Sequence, residues 1–286
     1  MTVLPVAFAF VLGLVVGSFL NVCILRIPAG ESIVRPASHC PQCGKPIAPY
    51  DNIPVLSWLL LRARCRHCKS PISALYPAVE LLTGILFAAC AFTFGPGIAD
   101  LNAASALAPL KWSVFCALLI VLAITDLRER ILPDKVNFAG ALLGLGFAAL
   151  LPIQDGTTLW LSGHIFAFPP PAPVLSLADA LLGAALGAGI LWIFAEGYFR
   201  LRGREGMGFG DVKMMAMAGT FLGPKAAVLT IMAGALLGSV LGSGFMLFRR
   251  TGSEYELPFG TFLAVGALLA VFYGPPVLSW YFGRLP

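Results

Sequence analysis

Charge is scarce in this chain. Of its 286 residues only 12% are Asp, Glu, Lys or Arg, while 58% are hydrophobic. An ordinary soluble domain carries about 25% charged residues. So little polar surface excludes a single water-soluble globule and fits a protein whose solvent is largely lipid. The mean hydropathy of +0.88 agrees. A secretory-signal pattern is also missing. The first apolar run, 4–25, has no basic residue before it and is followed by Arg26, not by a small-residue cleavage site, so it reads as a retained first span. Lys and Arg are absent from 153–177 altogether. Nor is there a basic stripe interleaved with aromatics, which excludes a nucleic-acid partner.

What is present is a series of apolar runs near 4–25, 77–95, 110–125, 136–152, 178–198, 212–224, 225–248 and 258–278. About 20 apolar residues cross the hydrocarbon of a bilayer. The expectation is an all-α polytopic membrane protein of about eight transmembrane helices. The sixth run is short and separated from the seventh only by Gly223-Pro224-Lys225. With the first loop in the cytoplasm, sixteen of the nineteen basic residues fall on the inner side, leaving Lys111, Lys225 and Arg284 outside. Such a bias orients membrane proteins, here with both termini outside. The net charge of +5 therefore reports topology.

Three regions follow: a first transmembrane helix (1–25), a polar cytoplasmic block (26–76) and a transmembrane remainder (77–286). The segment 153–177, with Pro169, Pro170, Pro171 and Pro173, is expected to be a proline-stiffened outer connection without a packed core. Glycines in 181–190 and 233–244 read as close-packing positions between helices.

The polar block holds four of the seven cysteines, as "CPQC" (40–43) and "CRHC" (65–68) with 21 residues between. Paired C-x2-C knuckles can place four thiolates around one tetrahedral Zn²⁺ at about 2.3 Å. A reducing cytoplasm disfavours a disulfide, although a redox pair or an empty site uses the same residues. Cys40, Cys43, Cys65 and Cys68 are the expected ligands. Four thiolates close the coordination sphere, so the metal is structural, and it supplies what a block of about 50 residues lacks in core. His39 and His67 flank ligands as bystanders. Cys23, Cys90 and Cys116 lie in apolar runs as small packing residues.

Two carboxylates stand out. Asp126 ends the third run, and Asp211 opens the sixth in "GMGFGD". An acid inside a span is expensive, by about 2.5–3.5 kcal/mol at its centre, and so points to function. On the topology above both lie at the inner boundary. Two neighbouring aspartates cannot both ionise easily, and a pair that shares one proton can hydrolyse a peptide. Gly206, Gly208 and Gly210 remove side chains beside Asp211, so Gly208 and Gly210 are expected to let a substrate backbone lie close. Taken singly, either acid also fits a solvated interfacial residue or an ion relay. A proton-coupled transporter would spread ionisable groups along a path; a non-catalytic assembly factor would tolerate loss of either acid.

At this level of detail the chain resembles the type IV prepilin peptidases. The residues concerned are "GSFLNVCILRIP" (17–28), the two knuckles with "PYDNIPVLSWLLLRARC" (49–65), "YPAVELLTG" (76–84), "DLRERILPD" (126–134), "GFGD" (208–211) and "PFGTFLAVG" (258–266). The dyad is similar to that of other G-x-G-D intramembrane aspartyl proteases. The resemblance implies a bifunctional enzyme of bacterial inner membranes. It would remove a short basic leader from prepilins and type II secretion pseudopilins after a glycine. It would then N-methylate the new first residue, usually phenylalanine, with S-adenosylmethionine. Carried over by motif, the catalytic acids are Asp126 and Asp211, with Asp134 the substitute for the first. Glu80 is expected to help the fold or position substrate. No residue is assigned to the methyl donor.

Overall fold

A computed structural model describes residues 3–96, 103–153, 155–165, 170–204, 206–249 and 258–283. Arg250 and Arg284 of the charge pattern, and the first residues of the proline-rich stretch, lie outside them. The described chain is helical: α1 (Val3–Arg26), α2 (Leu56–Leu60), α3 (Leu75–Phe94), α4 (Ala103–Glu129), α5 (Asp134–Leu150), α6 (Thr157–Ile165), α7 (Ala172–Arg202), α8 (Phe209–Leu222), α9 (Pro224–Arg249) and α10 (Phe259–Phe282). Helices are what a lipid solvent demands, because each satisfies its backbone groups internally.

Among the described residues six helices, α1, α3, α4, α7, α9 and α10, are long and apolar enough to cross a membrane. The other two expected spans are shorter. α5 has 17 residues and α8 has 14, the latter about 21 Å at 1.5 Å per residue. A left-handed Gly223 (φ 78°) ends α8, and Pro224 starts α9 immediately after. The chain divides within α4 into two compact units, Met1–Val121 and Leu122–Pro286.

In the first unit α1 packs closely on α3. A Cβ built on Gly13 would lie 2.7 Å from Gly84 Cα, and one on Gly17 would lie 2.7 Å from Glu80 Cα. Between these helices the polar block folds with little regular structure. Its short α2 is tied down by Trp58 Nε1 donating to Ile72 O (3.1 Å) and by Glu80 Oε2 accepting from Val55 N (2.7 Å).

In the second unit α8 lies among α5, α7, α9 and α10, and most of its side chains are buried. Glycines make this possible. A Cβ on Gly219 would meet the Gly183 carbonyl carbon and oxygen at 2.3 Å, so α7 and α8 touch backbone to backbone. α5 runs parallel to α8. Lys213 at the start of α8 pairs with Asp134 at the start of α5 (2.8 Å), and further along Thr220 lies against Gly144.

The region 153–177 departs from expectation. It holds the nine-residue α6, and α7 begins at Ala172. The reason is hydrogen bonding between segments well separated in sequence. Buried Asp179 accepts from Thr158 N (2.9 Å), Thr158 Oγ1 donates to Leu175 O (3.0 Å), and Ser176 Oγ donates to Ala148 O (2.7 Å). Pro171 and Pro173 occupy the N-terminus of α7, where a missing N–H costs nothing.

Candidate active site

Within the second unit, α4 and α8 each deliver one acid. Asp126 sits in the last turn of α4, and Asp211 in the first turn of α8 after its N-cap Gly208. Each is 6% exposed. A third element joins them. A Cβ built on Gly260, in the first turn of α10, would stand 3.0 Å from Asp211 Oδ1 and 3.1 Å from Asp126 Oδ2. The two oxygens are thus no further apart than the sum of those distances. The missing side chain of Gly260 is the space into which both acids reach.

The two carboxylates differ in their partners. Asp126 Oδ2 accepts from Thr261 N (2.7 Å) and from Thr261 Oγ1 (3.0 Å). The backbone N–H is one that a helix start leaves unsatisfied, so Asp126 caps α10. Asp211 Oδ1 is buried and has no hydrogen-bond partner among the described residues. Leu132, in the link between α4 and α5, walls the same space: its Cδ1 is 2.9 Å from the Gly260 Cβ position.

The glycines before Asp211 divide in role. A Cβ on Gly206 would lie 2.4 Å from the Tyr198 ring, and one on Gly210 would lie 3.0 Å from Leu132 Cβ. Both spaces are filled from within the chain. Only at Gly208 is the space beside the acid open, the nearest atom being Asp211 Oδ2 at 3.9 Å. Asp134 is half-exposed, and both of its oxygens accept from Lys213 Nζ at 2.8 Å. Gly260, Thr261 and Leu132 carried no role in the sequence reading. The available signal was a threonine in the first turn of an apolar helix, where hydroxyl and N–H can serve one acceptor.

The first unit holds the cysteines. The Sγ atoms of Cys40, Cys43, Cys65 and Cys68 all lie within 4.8 Å of one another. The two knuckles are the same turn repeated. Cys40 N donates to Lys45 O and Cys65 N to Ser70 O, each at 2.9 Å. The residue after each second cysteine is left-handed, Gly44 at φ 68° and Lys69 at φ 59°. Thiolates about 2.3 Å from a tetrahedral zinc stand about 3.8 Å apart; Cys40 and Cys68 are 3.8 Å apart. The donor set and spacing fit such an ion. Backbone N–H groups of Cys43 and Gln42 hold the Cys40 thiol down to about 6, toward the thiolate that a metal needs. Nearby, Arg66 grips Asp51 through two bonds of 2.6 and 2.7 Å and holds its carboxyl below the usual range.

A model of the bacterial peptidase A24 N-terminal domain matches residues 11–94, and one of the type IV leader peptidase family matches residues 113–243. A prepilin leader peptidase/N-methyltransferase of Aeromonas hydrophila is 34% identical, across 96% of this chain and 93% of its own length. This chain belongs to the type IV leader peptidase family. Family members with the same name from Burkholderia pseudomallei and Stutzerimonas stutzeri are 35% and 34% identical, over 96% and 98% of this chain and 87% and 96% of their own lengths. No solved structure matches the chain.

Proposed function

We propose that this member of the family is a prepilin leader peptidase and N-methyltransferase of the bacterial inner membrane. Its peptidase centre would be the Asp126–Asp211 pair at the cytoplasmic boundary. The observation that carries this reading is the approach of both acids to the one space left by Gly260. A water held there loses a proton to one carboxylate as it attacks the scissile carbonyl, while the other acid donates its proton to the carbonyl oxygen. The open space at Gly208 is the place for substrate backbone beside Asp211. The site suits a prepilin or pseudopilin, whose basic leader stays in the cytoplasm, whose glycine loosens helical geometry at the cut, and whose apolar helix remains in lipid.

In this reading the six long helices together with α5 and α8 make eight membrane passages, the short α8 being packed among α5, α7, α9 and α10. Cys40, Cys43, Cys65 and Cys68 would hold a structural Zn²⁺, whose contribution is to fold the block around Trp58. The methyl-transfer half, with S-adenosylmethionine as donor, is supported by the name the relatives share, and no side chain is assigned to it.

The test is leader removal from a prepilin by the detergent-solubilised enzyme, followed by gel. Asp126→Asn and Asp211→Asn should each abolish cleavage in a folded protein; cleavage at the wild-type rate by either variant removes that residue from the centre.

A further inference from the structure

The unequal surroundings of the two acids separate their roles. An ionised carboxylate only accepts hydrogen bonds, whereas a protonated one also donates. One oxygen of Asp126 takes two donors from Thr261, the N–H at 2.7 Å and the hydroxyl at 3.0 Å. That hydroxyl has a single hydrogen and a second acceptor within reach, Ala123 O at 3.2 Å in the preceding turn of α4; the shorter contact is to the acid, and the backbone N–H serves Asp126 alone. Donors aimed at one oxygen favour the charged form there. Asp211 Oδ1 faces the same space with no donor among the described residues reaching it. A bare buried acceptor is costly; a proton on it turns the same atom into a donor directed at the space where substrate must sit.

We infer that Thr261 is the positioning residue of the peptidase centre, holding Asp126 as the ionised, water-activating member and leaving the shared proton on Asp211. This rests on the dyad reading above. Asp126 takes one proton from water while the water oxygen bonds to the scissile carbon and Asp211 passes its proton to the carbonyl oxygen, giving a gem-diol. The C–N bond then breaks, the leaving nitrogen takes the proton held by Asp126, and a diol hydroxyl returns a proton to Asp211. One water is consumed, and a carboxyl and an amine end are released.

The test compares Thr261→Val, Thr261→Ser, Asp126→Asn and Asp211→Asn in the full-length enzyme, each checked for monodisperse behaviour in detergent. Valine keeps the shape and the N–H but removes the hydroxyl. It should lower kcat by about tenfold or more with KM unchanged, as expected for loss of a hydrogen bond to a charged group. Serine restores the hydroxyl and should restore kcat. In infrared difference spectra, the protonated-carboxyl stretch assigned to the pair should vanish in Asp211→Asn and persist in Asp126→Asn. A wild-type kcat in Thr261→Val, a change confined to KM, an equal loss in the serine variant, or a carboxyl stretch that follows Asp126 each overturns the assignment. Cleavage by Asp126→Asn itself would instead overturn the dyad reading beneath it.

Discussion

Gly260→Ala is the most economical probe of the geometry around the two acids. The added methyl would arrive 2.9 Å from Leu132 Cδ1, 3.0 Å from Asp211 Oδ1 and 3.1 Å from Asp126 Oδ2. Leu132 can yield, since its terminal methyl has other rotamers. The oxygens can yield only by moving away from each other and from the space a water must occupy. Two opposite terms act on stability. Overpacking a buried site costs about 1–3 kcal/mol, whereas alanine in a helix is about 1 kcal/mol better than glycine. The net loss should be small for a chain of this size. Activity responds differently, because a misplacement of about 1 Å at reacting groups can cost about a hundredfold. The expected outcome is a protein that melts within a few degrees of wild type in detergent yet cleaves a prepilin about a hundred times more slowly. Wild-type kcat in a folded Gly260→Ala enzyme would refute the idea that this space is where the chemistry happens.

Removal of metal by a strong chelator, or Cys40→Ser, should expose residues 38–72 to limited proteolysis while α1 and α3 stay protected; unchanged protection after verified metal loss would count against a zinc staple. Asp134→Ala should keep cleavage within an order of magnitude of wild type. Its half-exposed pairing with Lys213 contributes only about 0.2–1 kcal/mol as surface pairs do; a complete loss with folding intact would give Asp134 a part in the reaction. Gly219→Val should lower thermal stability sharply and reduce yield, since its side chain would have to enter the Gly183 backbone at 2.3 Å; a wild-type melting temperature would mean that α7 and α8 are not in contact there.

Features written in neighbouring residues could be read directly from the sequence. The tetracysteine cluster was legible because each knuckle is a local turn with its own spacing. The long apolar helices were legible because length and hydropathy suffice. Asp126 and Asp211 could be singled out because each adjoins an apolar run in a chain where charge is scarce. What escaped was long-range. Nothing in "PFGTF" says that Gly260 and Thr261 will return to the end of α4, 134 and 135 residues away from Asp126 in sequence. The glycines before Asp211 looked alike, but Tyr198 and Leu132 fill the spaces at Gly206 and Gly210, and only the fold distinguishes them from Gly208. α6 was hidden for the same reason: its anchor, Asp179, lies 21 residues further along the chain.

The convergence of the acids can be measured without substrate. With Asp126→Cys and Asp211→Cys combined, mild oxidation or a single Hg(II) ion should join the peptides that carry the two positions, as read by mass spectrometry after digestion. If those peptides stay separate while both thiols remain available to alkylation, α4 and α8 do not bring these side chains to one site, and the peptidase centre described above does not exist.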